Sequence, residues 1–213
     1  MKSIFTCLIF ISCLKLASAQ SVTVGPGGKP LRVSAMKDAT EGSPYFNDAY
    51  SESNIKTANS KKFLLKLVKY NLYNQQLEYT DEQGNVFAIQ DSTSAFSILD
   101  ANKMQHTFTK NQSLGFVEVL FDGKTGLLKK YSVKKETSED FYTKKKTNKW
   151  VAQNHYYLLK GNETKEFQPS SKGITKAVGD KKDQVSMYIK NEEPDLDTDA
   201  GLIAVFKYYN DLN

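Results

Sequence analysis

Short apolar runs separated by turn residues fill the chain from Lys61 to Phe167, and this alternation restricts the fold more than any other feature. The clearest pair of runs, Gly115–Phe121 and Leu127–Val133, flanks an Asp-Gly dipeptide. An Asp-Gly dipeptide between two apolar runs is typical of a β-hairpin. Because such runs recur about every 8–12 residues, the pattern predicts an antiparallel β-meander of about eight to ten strands, as a curled sheet or a partly open barrel.

One hairpin of this pattern has a strongly basic tip. Phe141–Thr143 is predicted as a strand that leads into Lys144–Lys149, and Trp150–Leu159 is predicted as the returning strand. The lysines, together with Trp150, suit contact with anionic lipid or polysaccharide. A hairpin tip that is simply solvated is the plainer interpretation of the same residues.

The period of the pattern changes to that of a helix after Pro169. Ile174 and Val178 are four residues apart, and later apolar positions follow the i, i+3, i+4 spacing of an amphipathic helix. These positions are Val185, Tyr188, Ile189, Leu202, Val205, Phe206, Tyr209 and Leu212. The sequence therefore predicts an α+β fold with C-terminal helices over about residues 170–213.

The first nineteen residues have the features of a secretory signal peptide. An apolar run over Ile4–Leu16 is followed by small residues and a predicted cleavage between Ala19 and Gln20. Lipidation at Cys13 is an alternative way of processing the same segment. The run is shorter than the roughly 20 residues that a membrane helix needs, and no later segment is apolar enough, so the mature chain is predicted to lack a transmembrane span. This pattern predicts a periplasmic or secreted protein.

Removal of residues 1–19 from the 213-residue chain would leave 194 residues without cysteine, because Cys7 and Cys13 both lie in the leader. A chain of this length can bury a core without disulfides. The turn-rich range 20–60 is predicted to be an N-terminal arm that packs on the domain, and 61–213 to be the β-meander with its helical end.

The charge pattern argues against a nucleic-acid partner. The net charge is +5, and it falls to +3 without the leader, which carries Lys2 and Lys15. Arg32 is the only arginine, whereas arginine is favoured for bidentate recognition of phosphates and bases. We therefore expect no nucleic acid among the partners.

Signals for metals, cofactors and catalysis are weak. His106 and His155 are the only histidines, and they do not form a metal-binding spacing. The acidic run at Asp195–Asp199 resembles the start of a calcium loop, but Ala200 and Phe206 replace the required Gly and Glu. Neither a phosphate-binding glycine motif nor a nucleophile elbow is present. The sequence predicts no metal and no cofactor, and it favours a protein that is not an enzyme.

Aromatic residues are the best candidates for ligand contact. Tyr and Phe along a curved sheet can line a groove or fill a core, and core filling is the plainer interpretation. The set Tyr70, Tyr73 and Tyr79 is the first choice for a ligand groove.

Several segments resemble a family of uncharacterised exported proteins of Bacteroidota-type bacteria. They are Gly42–Asn47, Lys69–Asn74 with Leu77 and Glu78, Gly115–Leu120 with Gly123, Leu127–Lys130, and Tyr208–Asn210. The resemblance covers most of the mature chain and includes no catalytic signature. It implies an envelope or secreted location and a β-rich body with a helical end.

The leading hypothesis is a non-enzymatic envelope or secreted protein that binds an apolar or extended ligand along its sheet, such as a lipid, a glycan or another envelope protein. A second hypothesis is a glycan or cell-wall hydrolase that uses carboxylates such as Asp81, Glu82 or Glu118. A third is a structural or adhesion component, which a large apolar patch would support.

Overall fold

The computed structural model describes residues 40–90 and 92–212, which form eleven strands and three helices. The strands are β1 (Thr40–Glu41), β2 (Ser51–Thr57), β3 (Lys62–Asn71), β4 (Gln76–Thr80), β5 (Val86–Ala88), β6 (Thr93–Leu99), β7 (Gln105–Asn111), β8 (Gly115–Phe121), β9 (Thr125–Glu139), β10 (Lys146–Lys160) and β11 (Glu163–Phe167). The helices are α1 (Ser171–Val178), α2 (Lys182–Glu192) and α3 (Asp199–Asp211). The β-rich body and the helical C-terminal end agree with the sequence prediction. The predicted leader and its cleavage site lie outside the described residues.

All eleven strands belong to one open sheet. Its order is β5-β4-β3-β2-β6-β7-β8-β9-β10, and β1 and β11 both pair with the far side of β10. The pairing is antiparallel except between β1 and β10, so the sheet is mixed. It consists of two hairpin series, β2 to β5 and β6 to β11, which are joined where β2 pairs with β6. The strand order therefore differs from a single meander, and the sheet does not close into a barrel.

The sheet curls strongly around a cluster of aromatic rings. The ring of Tyr70 on β3 lies 6.1 Å from that of Phe116 on β8 and 5.3 Å from that of Phe108 on β7. β3 and β8 are four strand positions apart, which corresponds to about 19 Å in a flat sheet. The short ring distances therefore require that β3 bends over the inner face of β6 to β8.

The described part of the predicted arm belongs to this curled body. Phe46 packs edge-on against the rings of Phe108 and Tyr131, and its backbone N–H donates to the carbonyl of Tyr70. Within the same predicted arm, Ser51–Thr57 forms the central strand β2. The polar composition of that strand, with Ile55 as its single apolar residue, hides its strand character in the sequence.

The helices cover the other end of the inner face. Ile174 in α1, Val185 in α2 and the side chains of Leu202 and Phe206 in α3 are completely buried. They pack against four side chains of the last strands, Leu127, Tyr156, Leu158 and Phe167. Ser170 and Thr198 cap the first turns of α1 and α3 through their side-chain oxygens, which accept backbone N–H groups.

The predicted strand at Phe141–Thr143 is wrong. These residues form the turn between β9, which ends at Glu139, and β10, which begins at Lys146. The carboxylate of Asp140 accepts hydrogen bonds from the N–H groups of Tyr142 and Thr143. An Asp that binds the backbone ahead of it favours a turn over a strand, and here it outweighs the β propensity of two aromatic residues.

Candidate functional site

An apolar groove opens on the inner face of the sheet at the β2–β5 end, and none of the three helices in residues 40–90 and 92–212 covers it. The groove has a volume of about 470 Å³, within the range of ligand sites. Its apolar walls are formed by Ile55, Phe63, Leu65, Tyr79, Ala88 and Ile89. Ile55, Leu65, Tyr79 and Ile89 also contact the aromatic core, so the groove is the place where that core reaches solvent.

The groove exists because β3 carries more apolar side chains than one face can bury. Its run Phe63–Val68 contains five apolar residues, and a bulge between β2 and β3 interrupts their alternation. Phe63 is 45% exposed and Leu67 is 43% exposed as a result. Solvent-exposed apolar side chains grouped beside a groove mark an interaction site more often than a packing defect.

The edge strand β5 forms the outer wall of this groove. In the described residues β5 pairs with β4 alone. The sequence of β5 is Val-Phe-Ala, and Val86 is 56% exposed and Phe87 is 42% exposed. Proteins usually protect such an edge with charges or proline, because its free N–H and C=O groups attract other strands. β5 has neither.

The backbone pattern of β5 identifies which groups are free. Ile89 N–H donates to the carbonyl of Leu77, and Asp81 N–H donates to the carbonyl of Asn85. Because alternate residues of an antiparallel strand face opposite edges, Phe87 also faces β4. The N–H and C=O groups of Val86 and Ala88 therefore point away from the sheet.

The three predicted ligand-contact tyrosines lie in different environments. Tyr70 has no exposed surface and its hydroxyl donates to the Gln75 side chain, so it belongs to the core. Tyr73 is exposed and packs its ring edge against Trp150, 4.9 Å away. Tyr79 lines the groove and stacks on Phe87, with ring centroids 5.2 Å apart. Of the three, Tyr79 is the one that lines this groove.

A second feature is a polar network on the inner face between the two apolar clusters. His106 Nδ1 lies 2.8 Å from Glu118 Oε1, and the Tyr131 hydroxyl donates to Glu118 Oε2 at 2.7 Å. His106 Nε2 lies 3.4 Å from Asp100 Oδ2, which is an ion-pair distance rather than a good hydrogen bond. Phe46 covers the assembly, with its ring 5.1 Å from that of His106.

The network continues across β9 and β10 to the start of α3. Lys129, opposite Glu118 on the neighbouring strand, forms an ion pair with Asp199 at 2.7 Å. The Tyr156 hydroxyl donates to the same carboxylate. Asp199 lies in the first turn of α3, where a negative charge is favoured by the helix dipole. The pair therefore ties the helical end to the sheet.

The ionisation of this network follows from burial and hydrogen bonding. Burial raises the pKa of the Tyr131 hydroxyl well above its ordinary value, and its hydrogen bond to Glu118 raises it further. Burial and then the bond to Asp199 raise the pKa of Tyr156 in the same way. Burial also opposes ionisation of Asp100, but the backbone N–H groups of Met104 and Asn102 and the nearby His106 ring lower its pKa below the usual value.

This network is suited to holding the fold together. Both nitrogens of His106 face carboxylates, and both oxygens of Glu118 accept hydrogen bonds. Across residues 40–90 and 92–212, no three His, Asp or Glu side chains converge so as to hold a metal ion. Asp81 is used differently, since its carboxylate accepts the N–H groups of Gln83 and Asn85 in the turn before β5.

Sequence reasoning missed most of the groove. Phe63, Leu65 and Ile89 lie within the apolar runs that predict strands, and the sequence pattern predicts none of them as a site residue. The available signal was the run Phe63–Val68, which lacks the strict polar alternation of a half-buried strand. The lack of any charge in Val86–Ala88 was a second signal, because an edge strand normally carries one.

No protein-family model matches this chain, and no curated protein or solved structure is detectably similar to it. The helices that the structure describes include none that is both long and apolar enough to cross a membrane.

Proposed function

We propose that this protein is an exported, non-enzymatic binding module that captures an extended apolar segment of a partner protein. The segment adds to the sheet as a strand beside β5, and every second side chain enters the groove. The observation that carries the proposal is an uncharged edge strand, paired on one side only within the described residues, that lies directly beside an apolar groove. Export is the prediction from the leader, and the resemblance to exported envelope proteins agrees with it.

The two edges of the sheet differ in a way that favours this role for β5. β11, at the opposite side, carries Glu163, Lys165 and Glu166 among its five residues, and such charges discourage strand addition. β5 carries none and offers the outward-facing backbone groups of Val86 and Ala88. An added strand would satisfy these groups while its apolar side chains cover Phe87 and the ring of Tyr79 that stacks on it.

A peptide accounts for more of the site than the other predicted ligands do. A lipid chain would fill the groove but would leave the backbone groups of β5 unused. A glycan would need polar groups around the groove, whereas its walls are mainly apolar. An extended segment with alternating apolar side chains matches both the edge and the groove.

The hydrolase alternative has less support. Asp81 stabilises a turn, and Glu118 is held by His106 and Tyr131 under the ring of Phe46. Glu82 is exposed in the turn before β5. These positions explain the carboxylates without a reaction. The adhesion alternative remains compatible with strand addition, because adhesion also requires a partner surface.

The proposal is tested with a capped heptapeptide of alternating valine and threonine that carries a fluorescein label, with binding followed by anisotropy. Val86→Pro removes one outward N–H and leaves the pairing with β4 intact, because edge strands tolerate proline at such positions. We expect this change to weaken binding by about fivefold, the value of roughly one hydrogen bond. Phe87→Lys should weaken it by at least about tenfold through a charge at the groove.

Val86→Thr is the matched control, because threonine keeps both the shape and the backbone N–H, and it should change the Kd by less than about twofold. Palmitate should not displace the labelled peptide. The proposal is contradicted if the peptide does not bind, if Val86→Pro binds as tightly as Val86→Thr, or if palmitate competes for the site.

A further inference from the structure

The strands β9 and β10 continue beyond β8 as a long hairpin ribbon, which β1 flanks at Asn148 and Lys149. β8 pairs with β9 only up to Lys129, whereas β9 and β10 remain paired from Lys130 and His155 out to Glu139 and Lys146. These ten residue pairs span about 33 Å. Every residue from 134 to 146 is exposed, so the outer end of the ribbon projects into solvent.

The turn at the end of this ribbon presents two aromatic side chains. Phe141 is 77% exposed and Tyr142 is 89% exposed, more than any other large hydrophobic side chain in residues 40–90 and 92–212. The turn is ordered by Asp140, which accepts backbone N–H groups of Tyr142 and Thr143 through its side chain and that of Lys144 through its carbonyl. A hydrogen-bonded turn therefore holds the two aromatic side chains outward.

The same end of the ribbon is positively charged. Residues 134–149 contain six lysines and three acidic residues. Two of the acids are matched by neighbouring lysines, Glu136 by Lys134 at 2.7 Å and Glu139 by Lys144 at 3.8 Å. Lys145 and Lys146 lie directly beside the aromatic turn and add to the excess of positive charge. This distribution complements an anionic surface.

We propose that the tip of the β9–β10 ribbon docks on an anionic lipid bilayer. Phe141 and Tyr142 enter the headgroup region, where aromatic rings are favoured, and the lysines of the ribbon contact lipid phosphates. The combination of apolar insertion and electrostatic attraction is what stable peripheral binding requires. This site is separate from the β5 groove, and the inference does not depend on the function proposed for that groove.

The geometry of the rings favours lipid over an acidic polysaccharide. The planes of Phe141 and Tyr142 are 88° apart, with centroids separated by 5.4 Å. Two perpendicular rings do not form a flat platform on which sugar rings stack. They do form a small apolar projection, which suits insertion between headgroups.

The test places an indole at the tip and follows its fluorescence. In a Trp150→Phe background, which removes the chain's single tryptophan, Phe141→Trp reports the polarity at the turn. Vesicles of phosphatidylglycerol mixed with phosphatidylcholine should shift its emission to shorter wavelength, and brominated lipids should quench it. Vesicles of phosphatidylcholine alone should produce less than about a tenth of the quenching, because they lack the negative charge.

Met187→Trp in the same background is the matched control, since Met187 is an exposed apolar residue of α2 and lies away from the ribbon in sequence. Its emission should not change, which separates docking by the tip from attachment through the leader. Lys145→Gln with Lys146→Gln should weaken vesicle binding by about tenfold or more, whereas Lys172→Gln with Lys190→Gln should have little effect.

Three results would overturn the inference. One is an indole at position 141 whose fluorescence emission does not change when anionic vesicles are added. Another is equal quenching at positions 141 and 187. The third is a spectral change with the soluble polyuronate alginate and none with vesicles, which would assign the tip to polysaccharide binding.

Discussion

Single residues of the inner face show how this chain keeps polar groups inside a curled sheet. Glu118 is 13% exposed in its side chain and accepts hydrogen bonds from two directions, from His106 and from Tyr131. A buried carboxylate is tolerated only when its oxygens are satisfied, so each of these partners stabilises the fold. His106 and Glu118 are twelve residues apart in sequence and meet because β7 and β8 pair.

Removal of the Tyr131 hydroxyl tests the stabilising role of the network. Tyr131→Phe leaves Glu118 without one of its donors in a largely buried position, which should lower the free energy of unfolding by about 1–3 kcal/mol. Urea unfolding followed by circular dichroism measures the change. Tyr142→Phe makes the same chemical change at a residue that is 89% exposed, and it should leave stability unaltered. Equal effects of the two substitutions would refute a role for the bond to Glu118.

The stability of the protein should fall in alkaline solution. Burial and the bond to Glu78 raise the pKa of Tyr45 to about 12, and the pKa values of Tyr70, Tyr131 and Tyr156 are raised as well. The folded state therefore keeps these protons at a pH where the unfolded chain, with tyrosine pKa values near 10, has lost them. The contribution of these hydroxyls to the free energy of unfolding is complete below pH about 10 and decreases as the pH rises through their folded-state pKa values.

Unfolding free energies measured between pH 8 and pH 12 test whether stability falls with rising pH in this way. Tyr131→Phe should make the alkaline decrease shallower, because one proton fewer is released on unfolding. Stability that stayed constant to pH 12 would contradict the assigned burial of these hydroxyls.

Among the elements, α3 is joined to the sheet by the side-chain amide of Asn210, which forms the two hydrogen bonds that a neighbouring strand would otherwise form. Asn210 Nδ2 donates to the carbonyl of Thr125, and its Oδ1 accepts the Thr125 N–H at 2.8 Å. Thr125 begins β9 and is only 2% exposed, so both of its backbone groups need a partner. The adjacent Gly123 leaves the room for this contact, because a Cβ there would lie 2.7 Å from Asn210 Oδ1.

Asn210→Ala should therefore cost more than an ordinary surface substitution. Two buried backbone groups of Thr125 lose their partner, and we expect a loss of about 2–4 kcal/mol in unfolding free energy. Asn210→Asp keeps the acceptor but places a carboxylate oxygen against the carbonyls of Thr125 and Phe206, so it should cost at least as much stability as Asn210→Ala. Thermal and urea unfolding compare the three. A loss below about 0.5 kcal/mol for Asn210→Ala would argue against this link.

The elements that sequence predicted best are those set by local residues. The hairpin at Asp122 and Gly123 and the apolar face of α3 depend on neighbours within a few positions. The turn at Phe141 was mispredicted because one Asp side chain decides it. Tyr70 was assigned to a groove, whereas long-range curling places it among Phe96, Phe108 and Phe116.

For the whole molecule, the pairing of β2 with β6 determines the architecture, and the local sequence pattern does not predict it. β2 lies between β3 and β6, so the two hairpin series become one sheet through residues about forty positions apart, such as Ile55 and Phe96. Nothing in the polar sequence of β2 marks it as central. The same arrangement leaves β5 at an edge and opens the groove, which is why the site was only partly predictable.

The central claim is that β5 offers unused backbone groups to an added strand. Amide hydrogen exchange of the full chain, measured by NMR, tests it most directly. The N–H groups of Val86 and Ala88 should exchange quickly in the free protein and become protected when the valine-threonine heptapeptide is added, whereas that of Ile89, which donates to Leu77, should be protected in both states. Protection of Val86 and Ala88 in the free protein, or no change on addition of the peptide, would contradict the account.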